Sequence, residues 1–248
     1  MMRRATVLAA LAAAALAAAP AHAAVPRVDV MVYGRSTLLA PAQTVTARAA
    51  TVRAGRRRCR VAAGSAIAAL EAVRRRGGPR YGLADYGSCS RRAADAGGLF
   101  VDRIGPDRAP RGEPDGWVYK VGRKVGTSGA ADPAGPFGTG RAIRPGQRVL
   151  WFWCRPTGGQ QCQETLEAGP AATTVAPGAP LAVTVTAYDD AGVGRPAEGA
   201  TVRVGPAGAI AGPDGVATLT APPEAGPATL VAEAPGLVPA FPREVRVG

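Results

Sequence analysis

The chain has 248 residues, carries 30 Lys plus Arg against 18 Asp plus Glu, and holds one histidine, His22. Such a length fits two ordinary domains. With His22 inside the N-terminal segment expected to be removed, Ser-His-Asp and Cys-His catalysis and histidine-liganded zinc are excluded.

The N-terminus sets the compartment. Arg3 and Arg4 precede an alanine-rich apolar run that ends at Pro20 and the small-residue stretch 21–23. This is the pattern of a secretory signal peptide over 1–23, too short and too weakly apolar to span a bilayer. The product is expected to be secreted or retained at the envelope, with no transmembrane segment once the leader is cut. Charge then divides the remainder. Residues 24–164 hold 24 basic against 10 acidic side chains, whereas 165–248 hold 4 against 8. Only Lys120 and Lys124 among the basic residues after the leader are lysine. This usage, with its abundant Ala, Gly and Pro, fits GC-rich coding, so the basic balance is no argument for nucleic acid, and export argues further against that partner. Two domains are expected, 24–164 and 165–248.

In the first, residues 28–33 alternate with period two and predict a strand, and 44–52 predict a second. Arg56, Arg57 and Arg58 follow as a dense charge run. Ser65 caps a helix predicted over 66–76, where Ile67, Leu70 and Val73 share a face and Gly77, Gly78 and Pro79 end it. Arg74, Arg75 and Arg76 lie in its last turn, where cations suit the helix dipole. The two arginine runs are read first as solvated charge and second as a surface for anionic polymers. Strands are predicted over 99–104, 117–121 and 148–153, giving the order β-β-α-β-β-β, with a long glycine- and proline-rich segment, 122–147, that would serve as a flap if the aromatic residues near it form a ligand surface.

Four cysteines in an exported chain imply two disulfides, of which three connectivities exist. Cys59 with Cys89 and Cys154 with Cys162 is the preferred pairing, since the first staples the two sides of the helix and the second closes a short polar loop. No metal site is expected, because no Cys-x-x-Cys knuckle is present.

The second domain is punctuated by Gly and Pro between runs at 181–188, 200–204, 216–220, 229–232 and 244–247. Asp214-Gly215 supplies a hairpin-turn signal, and the whole predicts an antiparallel β-sandwich. The chain is therefore mostly β with one main helix, an α+β domain followed by an Ig-like sandwich.

Two resemblances accompany this reading. Gly64-Ser-Ala-Ile-Ala-Ala-Leu70, Tyr86-Gly-Ser-Cys89, Gly116-Trp-Val-Tyr-Lys-Val121, Gly129-Ala-Ala-Asp132 and Gly146-Gln-Arg-Val-Leu-Trp-Phe-Trp153 resemble the transcobalamin-like C-terminal domain of secreted bacterial proteins, which implies a β-grasp-like fold. In transcobalamin this domain closes over a corrinoid together with a large α-helical barrel. This chain shows no such barrel, so no cofactor is expected, a corrinoid being the one that the resemblance would imply. Asp190-Ala-Gly-Val-Gly-Arg-Pro-Ala-Glu-Gly-Ala-Thr-Val202 and Gly212-Pro-Asp-Gly-Val-Ala-Thr-Leu219 resemble bacterial Ig-like and carboxypeptidase-regulatory-like domains, whose role is that of a spacer or adhesive module.

Trp117, Tyr119, Phe137, Trp151 and Trp153 form the candidate ligand surface. They are read first as core and second as a stacking face for a planar or sugar-like ligand. Catalytic motifs such as Gly-x-Ser-x-Gly, Ser-x-x-Lys or a phosphate loop are absent from the sequence. Asp102, Glu113 and Asp115 are the carboxylates from which a glycosidase pair would be drawn, and Asp189 and Asp190 are read first as paired acids in a turn and second as calcium ligands. The expected function is a non-catalytic, monomeric binding or adhesion module whose partner is an envelope polymer, a small molecule or a surface protein. A glycan-acting enzyme and a purely structural spacer are the alternatives.

Overall fold

The computed structural model describes residues 25–110, 112–157 and 161–248; the expected leader lies outside them. Among the described residues the chain is mostly β with one α-helix. A five-stranded sheet in the order β2-β1-β10-β8-β9 organises the first half. It comprises β1 (Arg27–Tyr33), β2 (Leu38–Thr46), β8 (Gly116–Val121), β9 (Lys124–Val125) and β10 (Arg148–Cys154). β1 runs parallel to β10, and every other pairing in the sheet is antiparallel.

Alternation along β8 and β10 divides the sheet into two faces. Trp117, Tyr119 and Val121 lie opposite Trp153, Trp151 and Val149, and all six join the larger core beneath helix α1 (Ala66–Arg75). The opposite parity, Leu150, Phe152 and Cys154, joins Met31, Cys162 and Val238 in a second apolar layer that carries the C-terminal half. A strand buried on both faces is apolar without interruption, and β10 reads so.

The helix obeys its local signals. The Ser65 hydroxyl accepts the Ala68 N–H at 3.2 Å. At the other end the Gly77 and Gly78 N–H groups return to the Arg74 and Val73 carbonyls, with Gly77 at φ +90°, the left-handed closure for which glycine is suited.

The expected strand at 44–52 is in fact two elements, β2 and β3 (Ala50–Ala54). β2 begins earlier than its sequence suggests because Pro41 lies in an edge strand opposite a register shift between Val30 and Val32, where no ladder N–H is required of it. β3 pairs with β4 (Arg57–Val61), and β5 (Tyr81–Asp85), β6 (Leu99–Ile104) and β7 (Asp107–Arg108) form a small separate sheet. The arginine run conceals β4 and the glycine of Tyr-Gly-Leu conceals β5.

Residues 126–147 are pinned to the core, not free as a flap. Ala131 and Ile143 are buried, the Tyr119 hydroxyl donates to the Ser128 carbonyl at 2.8 Å, and the Ile67 N–H donates to the Ala130 carbonyl at 3.0 Å. Any side chain at Gly126 would run into the Tyr119 ring.

The C-terminal half is a β-sandwich. One sheet has β13 (Pro180–Tyr188) at its centre, with β11 (Thr165–Pro170) on one side and β14 (Gly194–Pro196) and β17 (Val216–Thr220) on the other. Its partner runs β12 (Thr174–Val175), β19 (Arg243–Val247), β18 (Gly226–Glu233), β15 (Thr201–Val204) and β16 (Ala207–Ile210). Leu181, Val183, Val185 and Leu219 of the first sheet meet Val202, Val204, Leu230 and Val245 of the second. Asp214-Gly215 does make a turn, with Val216 N–H on the Asp214 carboxylate at 2.9 Å. It carries the chain from one sheet to the other and does not close a hairpin, because β17 pairs with β13.

The disulfides are Cys59–Cys89 and Cys154–Cys162. Among the described residues no helix is long and apolar enough to cross a membrane.

The junction of the halves contains a fully buried charge. Lys120 points to the Leu150 and Phe152 side of the sheet, is 0% exposed, and donates to the Thr165 hydroxyl at 3.1 Å, the Tyr188 carbonyl at 3.0 Å and the Asp189 carbonyl at 2.8 Å. The Asp190 carboxylate lies 3.8 Å away, and its other oxygen accepts the Cys162 N–H at 2.8 Å. Burial lowers the Lys120 ammonium to about 8 despite the attraction of Asp190, Asp189 and Glu164.

Lys120→Ala should cost about 3–5 kcal/mol in guanidinium unfolding, since it strands buried acceptors and a carboxylate. The folded protein holds the Lys120 proton less tightly than the unfolded chain does. Stability should therefore rise as pH climbs from about 8 towards 10, an increment that Lys120→Met abolishes. Above that range Tyr81 and Tyr119, whose hydroxyls burial pushes upward, act in the opposite sense. Removing Cys59–Cys89, which spans 30 residues, should cost about 3–4 kcal/mol, against roughly 2.5 kcal/mol for Cys154–Cys162, which spans 8. Calorimetry of the paired serine variants checks the order.

Candidate functional site

Among the described residues, a concavity with a volume of about 1010 Å³ opens over the outer face of the β5-β6-β7 sheet. Strand parity builds its floor. Leu99 and Val101 of β6 are buried in the core, so Phe100 between them points outward beside Ala84 of β5; Asp102 falls at the register shift opposite Gly82 and Leu83 and lines the groove, and the shift resets the alternation so that Ile104 is buried again. Tyr86, just past β5, packs edge-on against Phe100 with ring centroids 6.1 Å apart. Both rings are open to solvent, Tyr86 81% and Phe100 40% exposed. The segment after β7 forms the facing wall and brings Glu113 and Asp115 to the same groove. Arg108 of β7 pairs with Asp102 at 3.3 Å. Trp117 closes the base, its indole N–H bonded to the Asp107 carbonyl at 2.9 Å.

The structure thus gathers all three carboxylates picked from the sequence, Asp102, Glu113 and Asp115, along one groove. It does not do so with the aromatic set. Trp117, Tyr119, Trp151 and Trp153 are 1–5% exposed. Trp117 stacks edge-on against Trp153 at 5.6 Å, Tyr119 tilts onto Trp151 at 5.3 Å, and Phe137 packs half-buried against the same core. An open stacking face along these rings is therefore ruled out: the helix meets Trp151 through the Ala66 carbonyl, the 126–147 segment meets Tyr119 through the Ser128 carbonyl, Arg35 lies over the Trp153 ring at 4.2 Å, and the Trp117 indole is tied to the Asp107 carbonyl. Tyr86, Phe100 and Arg108 were missed as site residues. The available signal was Phe100 itself, an aromatic residue on the polar parity of an otherwise well-patterned strand.

The two arginine runs are taken apart by local geometry. Arg57 pairs with Asp85 at 3.0 Å, Arg56 stays on the exposed hairpin turn, and Arg58 points outward from β4. Arg74 and Arg75 converge on Glu71 at 2.7 and 2.8 Å, and the Tyr81 hydroxyl donates to the same carboxylate at 2.9 Å. Burial raises Glu71, but these three partners outweigh it and hold the carboxyl below its ordinary value. Arg76 donates to the Thr44 carbonyl. The helix-end run is thus spent largely on structure. Asp189 and Asp190 likewise serve the turn and the junction: Asp189 accepts the Val193 N–H at 2.8 Å and Asp190 faces Lys120. This replaces the calcium reading.

No protein-family model and no curated protein matches the chain. Among solved structures, the D00-D0 domain of Intimin is similar at 17% identity, covering 72% of this chain and 81% of that chain, with a TM-score of 0.28. A likeness that low carries no argument.

Trp151→Ala should cost about 3–5 kcal/mol in chemical unfolding, the penalty of a large core cavity.

Proposed function

We propose that this chain is a non-catalytic carbohydrate-binding module, exported to the cell surface or its surroundings, that seats an envelope glycan in the groove above β5-β6-β7. The carrying observation is the solvent-exposed Tyr86 and Phe100 pair set in a groove rimmed by Asp102, Arg108, Glu113 and Asp115. Aromatic faces stack on the apolar face of a sugar ring, while carboxylates and guanidinium accept from and donate to its hydroxyls. A volume of about 1010 Å³ exceeds what a single small ligand needs and suits a run of rings. Two disulfides support an oxidising compartment.

In this reading the first half is a relative of the transcobalamin-like domain and the second an Ig-like spacer that fixes the groove's orientation. A helix laid across one face of a sheet whose first and last strands run parallel agrees with the first kinship. A corrinoid is not part of the proposal, since the rings that would face it are in the core. The second reading, a glycan-cleaving enzyme, is favoured by the convergence of three carboxylates, although Asp102 is already engaged by Arg108.

Calorimetric titration of the mature protein with chitooligosaccharides and soluble peptidoglycan fragments tests both. Tyr86→Ala and Phe100→Ala should each weaken binding about tenfold while shifting stability by less than about 0.5 kcal/mol, as exposed residues do. Unchanged affinity in both variants would sink the groove as the site. Cleavage products that vanish in Asp102→Asn, Glu113→Gln or Asp115→Asn would establish the enzyme instead.

A further inference from the structure

The β3-β4 hairpin presents a face of unusual composition. Ala50, Val52, Ala54, Cys59 and Val61 point inward and are buried. The outward positions are then Thr51, Arg53, Arg58 and Arg60, with Arg53 directly opposite Arg58 and Thr51 opposite Arg60. Arg91 joins them, because the Arg60 N–H donates to the Ser90 carbonyl at 2.8 Å and the Cys59–Cys89 disulfide ties that loop to β4. Thr51, Arg58, Arg60 and Arg91 line a concavity of about 410 Å³ that shares no residue with the glycan groove.

Three features distinguish this face from ordinary solvated charge. Like charges directly opposed on adjacent strands are destabilising, by some tenths of a kcal/mol to about 1 kcal/mol. Among the described residues, no carboxylate pairs with Arg53, Arg58, Arg60 or Arg91 and no protein acceptor takes their guanidinium groups. Asp85 is taken by Arg57, the neighbour of Arg58, and Asp95 accepts the Ser90 hydroxyl beside Arg91. Finally, the loop bearing Arg91 is fastened covalently, so the cluster is held together instead of spreading apart as repulsion alone would drive it.

We propose that this hairpin face is a binding site for a phosphodiester-linked polymer without bases, such as a polyol-phosphate chain. Guanidinium forks match phosphate oxygens bidentately. Alternate residues of a strand lie about 7 Å apart, so Arg58 and Arg60 address successive anionic groups, which one free phosphate cannot supply. The face carries no aromatic side chain on which a base would stack, and this separates it from a single-stranded nucleic acid site.

The test is titration of the mature, oxidised protein with fluorescently labelled poly(glycerol phosphate), with an oligodeoxynucleotide of equal charge in parallel. The doubly substituted Arg58→Gln, Arg60→Gln protein should bind at least about tenfold more weakly, with the salt dependence of log K reduced by roughly two. Its melting temperature should hold or rise, because the cross-strand repulsion is relieved. The doubly substituted Arg203→Gln, Arg246→Gln protein, an equal removal of exposed charge from the sandwich, should leave affinity within about twofold. The proposal is overturned if the intact protein shows no saturable binding, if the Arg58→Gln, Arg60→Gln pair weakens it no more than the sandwich pair does, or if the oligodeoxynucleotide binds as tightly as the polymer.

Discussion

Strand β10 is buried on both faces, and the architecture follows from that constraint. Its Trp151 and Trp153 side faces the helix and its Leu150 and Phe152 side faces the sandwich. Neither half can be lifted from the sheet without exposing a large apolar face, so the junction is held by the same hydrophobic term that holds each core. Lys120 is the one departure from that pattern. It stands opposite Leu150, where a charge is expensive, and its three hydrogen bonds all end on the sandwich half, at Thr165, Tyr188 and Asp189. An apolar residue there would tolerate small rotations of one half on the other. An ammonium surrounded by oriented oxygens does not, so Lys120 gives the junction a single orientation.

Because the central sheet is covered on both sides, chemistry is displaced to its excursions. The β3-β4 hairpin and the β5-β6-β7 sheet each lend one face to the common core and leave the other to solvent. On these outer faces stand Tyr86, Phe100 and the groove carboxylates in one case and the unpaired arginines in the other. Both excursions are fastened by the Cys59–Cys89 disulfide region, since Asp85 of β5 receives the Arg57 guanidinium and the Cys89 N–H. A small two-stranded ribbon is marginal alone; here the covalent link and the core contacts of Val52 and Val61 hold it rigid enough to present a fixed surface.

Elements with strong local signals were legible. Helix α1 starts at a serine cap and stops at two glycines, β1, β8, β13 and β17 read from their alternation, and β10 reads from its unbroken apolar run. Those that were missed lack that signal for identifiable reasons. β2 carries Pro41 and a bulge, β4 is written in arginine, β5 and β16 contain glycine, and β11 ends in Gly169-Pro170. In each, pairing with a neighbour supplies what propensity does not. The disulfide pairing was preferred from the sequence because one pair spans a short loop and the other brackets the helix.

The sequence by itself determined that the chain is mostly β with one helix and that histidine chemistry is unavailable to residues beyond position 22, because these depend on composition and on periodicities of two and 3.6; among three possible cysteine pairings it offered only a preference. Only the tertiary structure decided which aromatic residues are core and which are surface. Trp151 and Phe100 both sit among apolar strand residues, and parity alone does not say which face a neighbour will cover. It also decided the fate of the arginines: Arg74 and Arg75 are consumed by Glu71 of their own helix, whereas Arg53, Arg58, Arg60 and Arg91, separated by up to 38 positions, become one surface through strand pairing and a disulfide. Charge is a property of composition, but a charged site is a property of register.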